Sequence, residues 1–165
     1  MILLTRAARS GIVHVAFAVV FVAIAGGCKR SGPADDAAFT EVQQRGKVAM
    51  GVDQYTSSHK FEVTPRGGRI SLQRDSVDSA GIAQIRAHMK VIQQAFKAGD
   101  FSTPAFVHAR DMPGTAVMSK KRAEITYGYE DLPRGGAVVI TTKDPEARSA
   151  IAQFFSAQRT DHRSH

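Results

Sequence analysis

The stretch Glu62-Val63-Thr64-Pro65-Arg66-Gly67-Gly68 nearly returns as Glu130-Asp131-Leu132-Pro133-Arg134-Gly135-Gly136, and this recurrence restricts the fold more than any other feature of the chain. Proline presets φ at a turn and glycine permits positive φ, so Pro-Arg-Gly-Gly between alternating apolar runs reads as a hairpin connection. Ile70 and Leu72 follow the first turn, and Val138 and Ile140 follow the second at the same spacing. With one residue of slippage Asp75 matches Asp144, and Ile82-Ala83-Gln84 matches Ile151-Ala152-Gln153. The expectation is an internally duplicated ββα unit, with repeats over about 55–99 and 122–160.

Each repeat carries its own pattern. His59, Phe61 and Val63 share one strand face, and Ile70 and Leu72 return between Arg69, Ser71 and Gln73. Residues Asp75 to Ser79 offer helix N-caps, and Ile82, Ile85, Met89, Ile92 and Phe96 form one apolar stripe that ends at Gly99. In the second repeat Ile125, Tyr127 and Tyr129 share a face, and Asp144-Pro145-Glu146 opens a helix buried through Ile151, Phe154 and Phe155. Residues Thr160 to His165 read as a frayed end. The connector from Phe101 to Lys121 has room for a helical turn or a short strand. Two ββα units, each with one apolar face, satisfy one another as an α+β two-layer sandwich: a four-stranded antiparallel sheet with two helices on one face. Neither hairpin is stable alone.

The N-terminus has a different character. Arg6 and Arg9 precede an apolar run from Ile12 to Ala25, which ends in Ala25-Gly26-Gly27 before Cys28. This is the layout of an export signal over residues 1–27. This run of 14 residues, with His14 inside it, reaches about 21 Å as a helix, short of a hydrocarbon core of roughly 30 Å. Small residues before the chain's one cysteine resemble the bacterial lipoprotein box, although Leu is more usual where Ala25 stands. The resemblance implies acylation of Cys28, cleavage before it, and a membrane anchor in the cell envelope. Lys29, in place of the Asp common in lipoproteins retained at the inner membrane, directs the expectation to the periplasmic face of the outer membrane. Residues 28–46 then read as a lipidated flexible tether, with a helical turn at Ala37 to Gln44 that sets Phe39 and Val42 on one side. Lys47 to Tyr55 alternates Val48, Met50 and Val52, as an edge strand or an extended lead-in weakened by Gly46 and Gly51 would. A single domain over 47–165 follows.

Composition narrows the partners. Without Arg6 and Arg9 the 22 basic residues become 20, against 15 acidic ones, a net of +5 from Cys28 onward. Such a surplus favours an anionic envelope component or an envelope protein. Lys and Arg are spread along the chain and only Lys120-Lys121-Arg122 forms a run, so nucleic acid is not indicated. One cysteine excludes an intramolecular disulfide and a cysteine-based zinc site.

The run Met50 to Phe61, with Gly67-Gly68-Arg69-Ile70, Ile85-Arg86-Ala87-His88-Met89, Phe106-Val107-His108, Pro113 to Met118 and Leu132 to Gly136, resembles a family of small exported bacterial proteins. The likeness spans about 47–162, and such proteins often carry the name aspartate carbamoyltransferase. That name would imply two α/β domains, a Ser-Thr-Arg-Thr phosphate-binding motif and active sites shared between subunits. None of these is visible in the sequence.

Residues with chemistry are few. Ser57-Ser58-His59 puts hydroxyls near an imidazole, but adjacent strand residues point to opposite faces. Glu62 and Glu130 precede the two turns as solvent-facing residues that would support Arg66 and Arg134. Arg66 and Arg134, beside paired glycines, are candidates for anion binding. No catalytic residue is assigned. His59, His88, His108 and Met112 are the metal candidates, with His59 and His88 expected to approach each other and the connector to close the site. Imidazole with thioether suits copper and imidazole alone suits zinc, yet the spacings match no established ligand motif. Histidines bonded to backbone and methionines filling core gaps explain the same residues. Three function classes therefore stand: a noncatalytic lipid-anchored binding module, a periplasmic copper- or zinc-binding protein, and an enzyme.

Overall fold

A computed structural model describes residues 32–51 and 53–164. The signal segment, Cys28 and the start of the expected tether lie outside the described residues. Four strands form one antiparallel sheet in the order β1-β2-β4-β3. They are β1 Ser57–Thr64, β2 Gly67–Arg74, β3 Ile125–Leu132 and β4 Gly135–Thr142. Among the described residues five α-helices accompany them: α1 Pro33–Met50, α2 Ser79–Ala98, α3 Ser102–His108, α4 Thr115–Lys120 and α5 Pro145–His162. The long helices α2 and α5 pack on the sheet as the two-layer α+β sandwich requires, and no helix among the described residues is long and apolar enough to cross a membrane.

The duplication has a local two-fold axis. β3 and β4 begin 68 residues after β1 and β2 (125 less 57, 135 less 67). In the central ladder Ile70 pairs with Val138, and these two are themselves 68 apart, so the axis passes through that pair. It exchanges two further hydrogen bonds: Arg74 N donates to Arg134 O and Thr142 N to Arg66 O, both at 2.8 Å. Each hairpin turn thereby holds the far end of the other repeat.

The same symmetry explains the glycines. Pro-Arg alone makes each turn, because Thr64 already pairs with Gly67 and Leu132 with Gly135. Only Gly67, at φ 143°, has a positive φ among the four turn glycines. A Cβ on Gly67 would press into the Ile140 carbonyl oxygen, and one on Gly135 into that of Leu72, which is the symmetry-related contact. Close approach of β2 to β4 demands glycine here. Gly135→Ala is expected to lower stability by about 2–3 kcal/mol in urea melts, as overpacking against a backbone that cannot yield does. A melt indistinguishable from wild type would contradict the close approach.

The helices are registered differently from the expectation. The N-caps are Asp78, whose side chain accepts from Gly81 N at 3.2 Å, and Asp144, which accepts from Ala147 N at 2.8 Å. Matching the caps aligns Ile85 with Ile151, both fully buried, instead of Ile82 with Ile151 or Asp75 with Asp144. The linker after β2 is longer than the one after β4, which shifts the frame. The core beneath the helices holds Leu72, Ile85, Met89, Phe96, Val138, Ile140, Ile151, Phe154 and Phe155.

Two segments differ from the expectation. Residues 33–46 of the expected tether belong to α1, which starts with Pro33 at its first turn and stops at Gly51 in the left-handed region, φ 70°. Where an edge strand or extended lead-in is expected at Lys47 to Tyr55, the described residues form instead the last turn of α1, ending at Met50, and a 3-10 turn at Gln54–Thr56. Tertiary contact supplies what a weak apolar period does not: Val42 and Met50 are buried, and Arg45 Nε donates to Val107 O at 2.8 Å. The C-terminal segment expected to fray also continues as helix to His162. Arg163 follows in the left-handed region, and its guanidinium binds Asp36 Oδ1 at 2.7 Å and lies 4.4 Å over the Phe39 ring. The two ends of the folded unit hold each other.

Candidate ligand-binding cavity

Edge strand β1 places His59 on the face that meets the helices, two residues before the buried Phe61. Arg159 of α5 donates Nη1 to the Phe61 carbonyl at 3.0 Å, which draws the last turns of α5 over this strand. His162 consequently comes within 5.1 Å of His59, ring centre to ring centre, and stacks on Phe61 at 5.6 Å. His108, the last residue of α3, stands edge-on to His162 at 5.1 Å. Its Nε2 lies 2.9 Å from Gln158 Oε1. Asp161 Oδ2 approaches its Nδ1 at 2.7 Å without hydrogen-bond alignment, and the same carboxylate pairs with Arg110 at 2.6 Å.

These rings open on a cavity of about 60 Å³, whose wall also includes His88, Met50, Met89, Ile92 and Phe96. One water needs roughly 10–15 Å³ of such space, and sites for drug-sized ligands run to hundreds. The space suits an ion or a molecule of a few atoms. Its lining is mostly apolar, apart from the imidazoles, Gln158 and Thr103. His59 Nδ1 and His162 Nδ1 are out of reach of solvent and have no hydrogen-bond partner. An unpaired buried nitrogen costs about 1–3 kcal/mol, so it calls for an explanation.

Burial holds these imidazoles neutral. The His59 pKa lies well below the usual histidine value, first because the ring is desolvated and then because His162, His88 and His108 surround it. Desolvation lowers His88 to about 4, and desolvation with the nearby His108 lowers His162 to about 4. His108 is lowered by burial against the opposing pull of Asp161. At neutral pH a neutral imidazole keeps one nitrogen lone pair available to a ligand.

The structure gathers some of the expected residues and separates others. His59, His88 and His108 do line one cavity. Met112 does not line it: it is buried elsewhere, with its sulfur 3.4 Å from Arg110 Nη1. Met50 and Met89 are the methionines that line it instead. His162 was hidden by the expectation of a frayed tail, although Ile151, Phe155, Gln158 and His162 step by four, three and four along one helix face. Among the described residues no three His, Cys, Asp or Glu side chains are grouped to hold a metal.

Arg66 and Arg134 lie at opposite ends of the sheet, as the antiparallel pairing of Gly67 with Thr141 and Gln73 with Gly135 dictates. They do not form one anion site, and Arg134 Nε is engaged by the Arg74 carbonyl at 2.7 Å. Glu130 pairs with Arg69 across the sheet instead of supporting Arg134. Ser58 faces away from His59 and donates to Asp75 Oδ1 at 2.8 Å. A wider polar groove beside α1 carries Arg45, Arg110 and Arg163, each already paired with an acid: Glu41, Asp161 and Asp36.

No protein-family model matches the chain, and the comparisons found no significant similarity to a curated protein or to a solved structure.

Proposed function

We propose that this protein is a noncatalytic binding module of the bacterial cell envelope, anchored through lipid on Cys28, with the histidine-lined cavity as its ligand site. The unpaired imidazole nitrogens in an apolar cavity carry this reading, because apolar walls with a few fixed polar groups are what a small-ligand site needs. The leader ending in Ala25-Gly26-Gly27-Cys28 supports the anchor and an address on the periplasmic face of the outer membrane. The net positive charge from Cys28 onward supports an anionic envelope component or envelope protein as the macromolecular neighbour.

Two variants test the two halves. Cys28→Ser should abolish lipid labelling and release the cleaved domain from membranes; continued membrane association after leader cleavage would reject this anchor. Ala49→Leu adds side-chain volume at the cavity wall. Native mass spectrometry of wild type extracted from its own membranes should show a bound mass beyond the acyl chains, and Ala49→Leu should lose it. A wild type that carries nothing beyond its lipid would reject the binding site.

A further inference from the structure

We propose that the cavity ligand is a single soft monovalent cation, Cu(I), held by the imidazoles of His59 and His162 and a thioether of Met50 or Met89. This rests on the reading of the cavity as a binding site and names what it binds. Four observations converge. The volume, about 60 Å³, excludes an organic cofactor and admits an ion stripped of its water.

The wall offers neutral nitrogen and sulfur donors with few other polar groups, which penalises an ion that keeps its hydration shell and favours one that accepts few, soft ligands. The ring centres of His59 and His162 are 5.1 Å apart. Two imidazoles that each bind one ion through nitrogen at about 2 Å place their centres roughly 5 Å apart when the angle at the ion is bent. Finally, both Nδ1 atoms lack a partner. Structural histidines would instead each have a carbonyl or carboxylate to bond.

Zinc fits less well. A closed tetrahedral zinc site draws four donors from His, Cys, Asp and Glu, and no three such side chains are grouped among the described residues. Cu(I) accepts two or three ligands and takes thioether readily. The basis for the choice is therefore the donor set: imidazole plus methionine, without a carboxylate. His108 stands behind His162, with Gln158 on its Nε2, and orients that ring without serving as a ligand. His88 lines the cavity as a further neutral wall group.

The test uses the full chain in detergent, titrated with Ag(I) as a redox-inert stand-in, with Cu(I) under reducing anaerobic conditions, and with Zn(II). Imidazole nitrogen spectra of the wild type need no variant and report each ring separately. Expected are saturation at one equivalent of Ag(I) or Cu(I), displacement of one nitrogen signal each from His59 and His162, and a raised melting temperature. Zn(II) should leave both rings unmoved. His59→Phe and His162→Phe keep the ring volume and should each weaken binding by about 100-fold or more. Met50→Leu with Met89→Leu should weaken it further while the melt stays close to wild type. Silver that leaves both His59 and His162 unperturbed, or binding that survives His59→Phe, would overturn the proposal. If the rings ignore all three ions while membrane-extracted protein still carries a mass that Ala49→Leu removes, the ion falls and the binding site stands.

Discussion

Acidification from pH 7 to below pH 4 is expected to remove about 6 kcal/mol from the stability of the folded domain through two side chains alone. His88 and His162 fall from 6.5 to about 4 on folding. Each such shift is worth about 3 kcal/mol. Both rings are mostly buried, so solvent screening takes little of this away. The sign follows from proton uptake. Between the two values the unfolded chain binds the protons and the folded domain does not, so stability is complete above pH 6.5 and is lost as pH falls toward 4. His59 and His108, also lowered, act in the same direction, with the Asp161 carboxylate opposing the loss at His108. Total stability of a small domain is about 5–15 kcal/mol, so acid alone should bring this one close to unfolding. Urea melts at pH steps between 7 and 4 measure the slope, and His88→Leu should reduce it by nearly one proton. Carboxylates whose pKa is lowered on folding, such as Asp144, contribute only around and below their unfolded value of 3.8. A curve flat down to pH 4 would show that the imidazoles are not held neutral.

Phe154→Ala is expected to cost about 3–5 kcal/mol, the usual loss for a buried aromatic ring cut back in a core. Phe154 is 1% exposed, and its ring meets Phe96 and Phe101 at 6.0 Å and Phe155 at 5.9 Å. It also forms part of the cavity wall. Truncation therefore removes packing and enlarges an existing void, the combination that relaxes least. Denaturant melts give the loss, and uptake of xenon or benzene greater in the variant than in wild type would show the enlarged space. A loss under about 1 kcal/mol would place the ring outside the core.

Much of this architecture was legible because both repeats obey the strand and helix periods. Alternation at Phe61, Ile70, Leu72, Tyr127, Val138 and Ile140 defined the buried sheet face, and two Pro-Arg turns fixed the hairpins. The helix register was less accessible, since Asp75 and Asp78 both qualify as caps and only the bond from Gly81 N to Asp78 selects one. Helix α1 was obscured by Asp35, Asp36 and Gly46 in a segment whose apolar period is weak. It is stabilised by contacts with Val107 and Arg163, which are distant in sequence. The cavity suffered from the same problem at the other end. His59, His88 and His108 stood out as residue types, but His162 joins them only because Arg163 and Arg159 hold the end of α5 in place.

The central claim, that buried neutral imidazoles line a ligand cavity, is tested most directly by following each histidine ring of the full chain by nitrogen-detected NMR from pH 8 to pH 3.5. His88 and His162 are expected to remain neutral through pH 6 and to gain their protons near pH 4, with His59 and His108 also below the ordinary value. Four rings that titrate together near pH 6.5 in the still-folded protein would contradict it, because water would then already occupy the places reserved for a ligand.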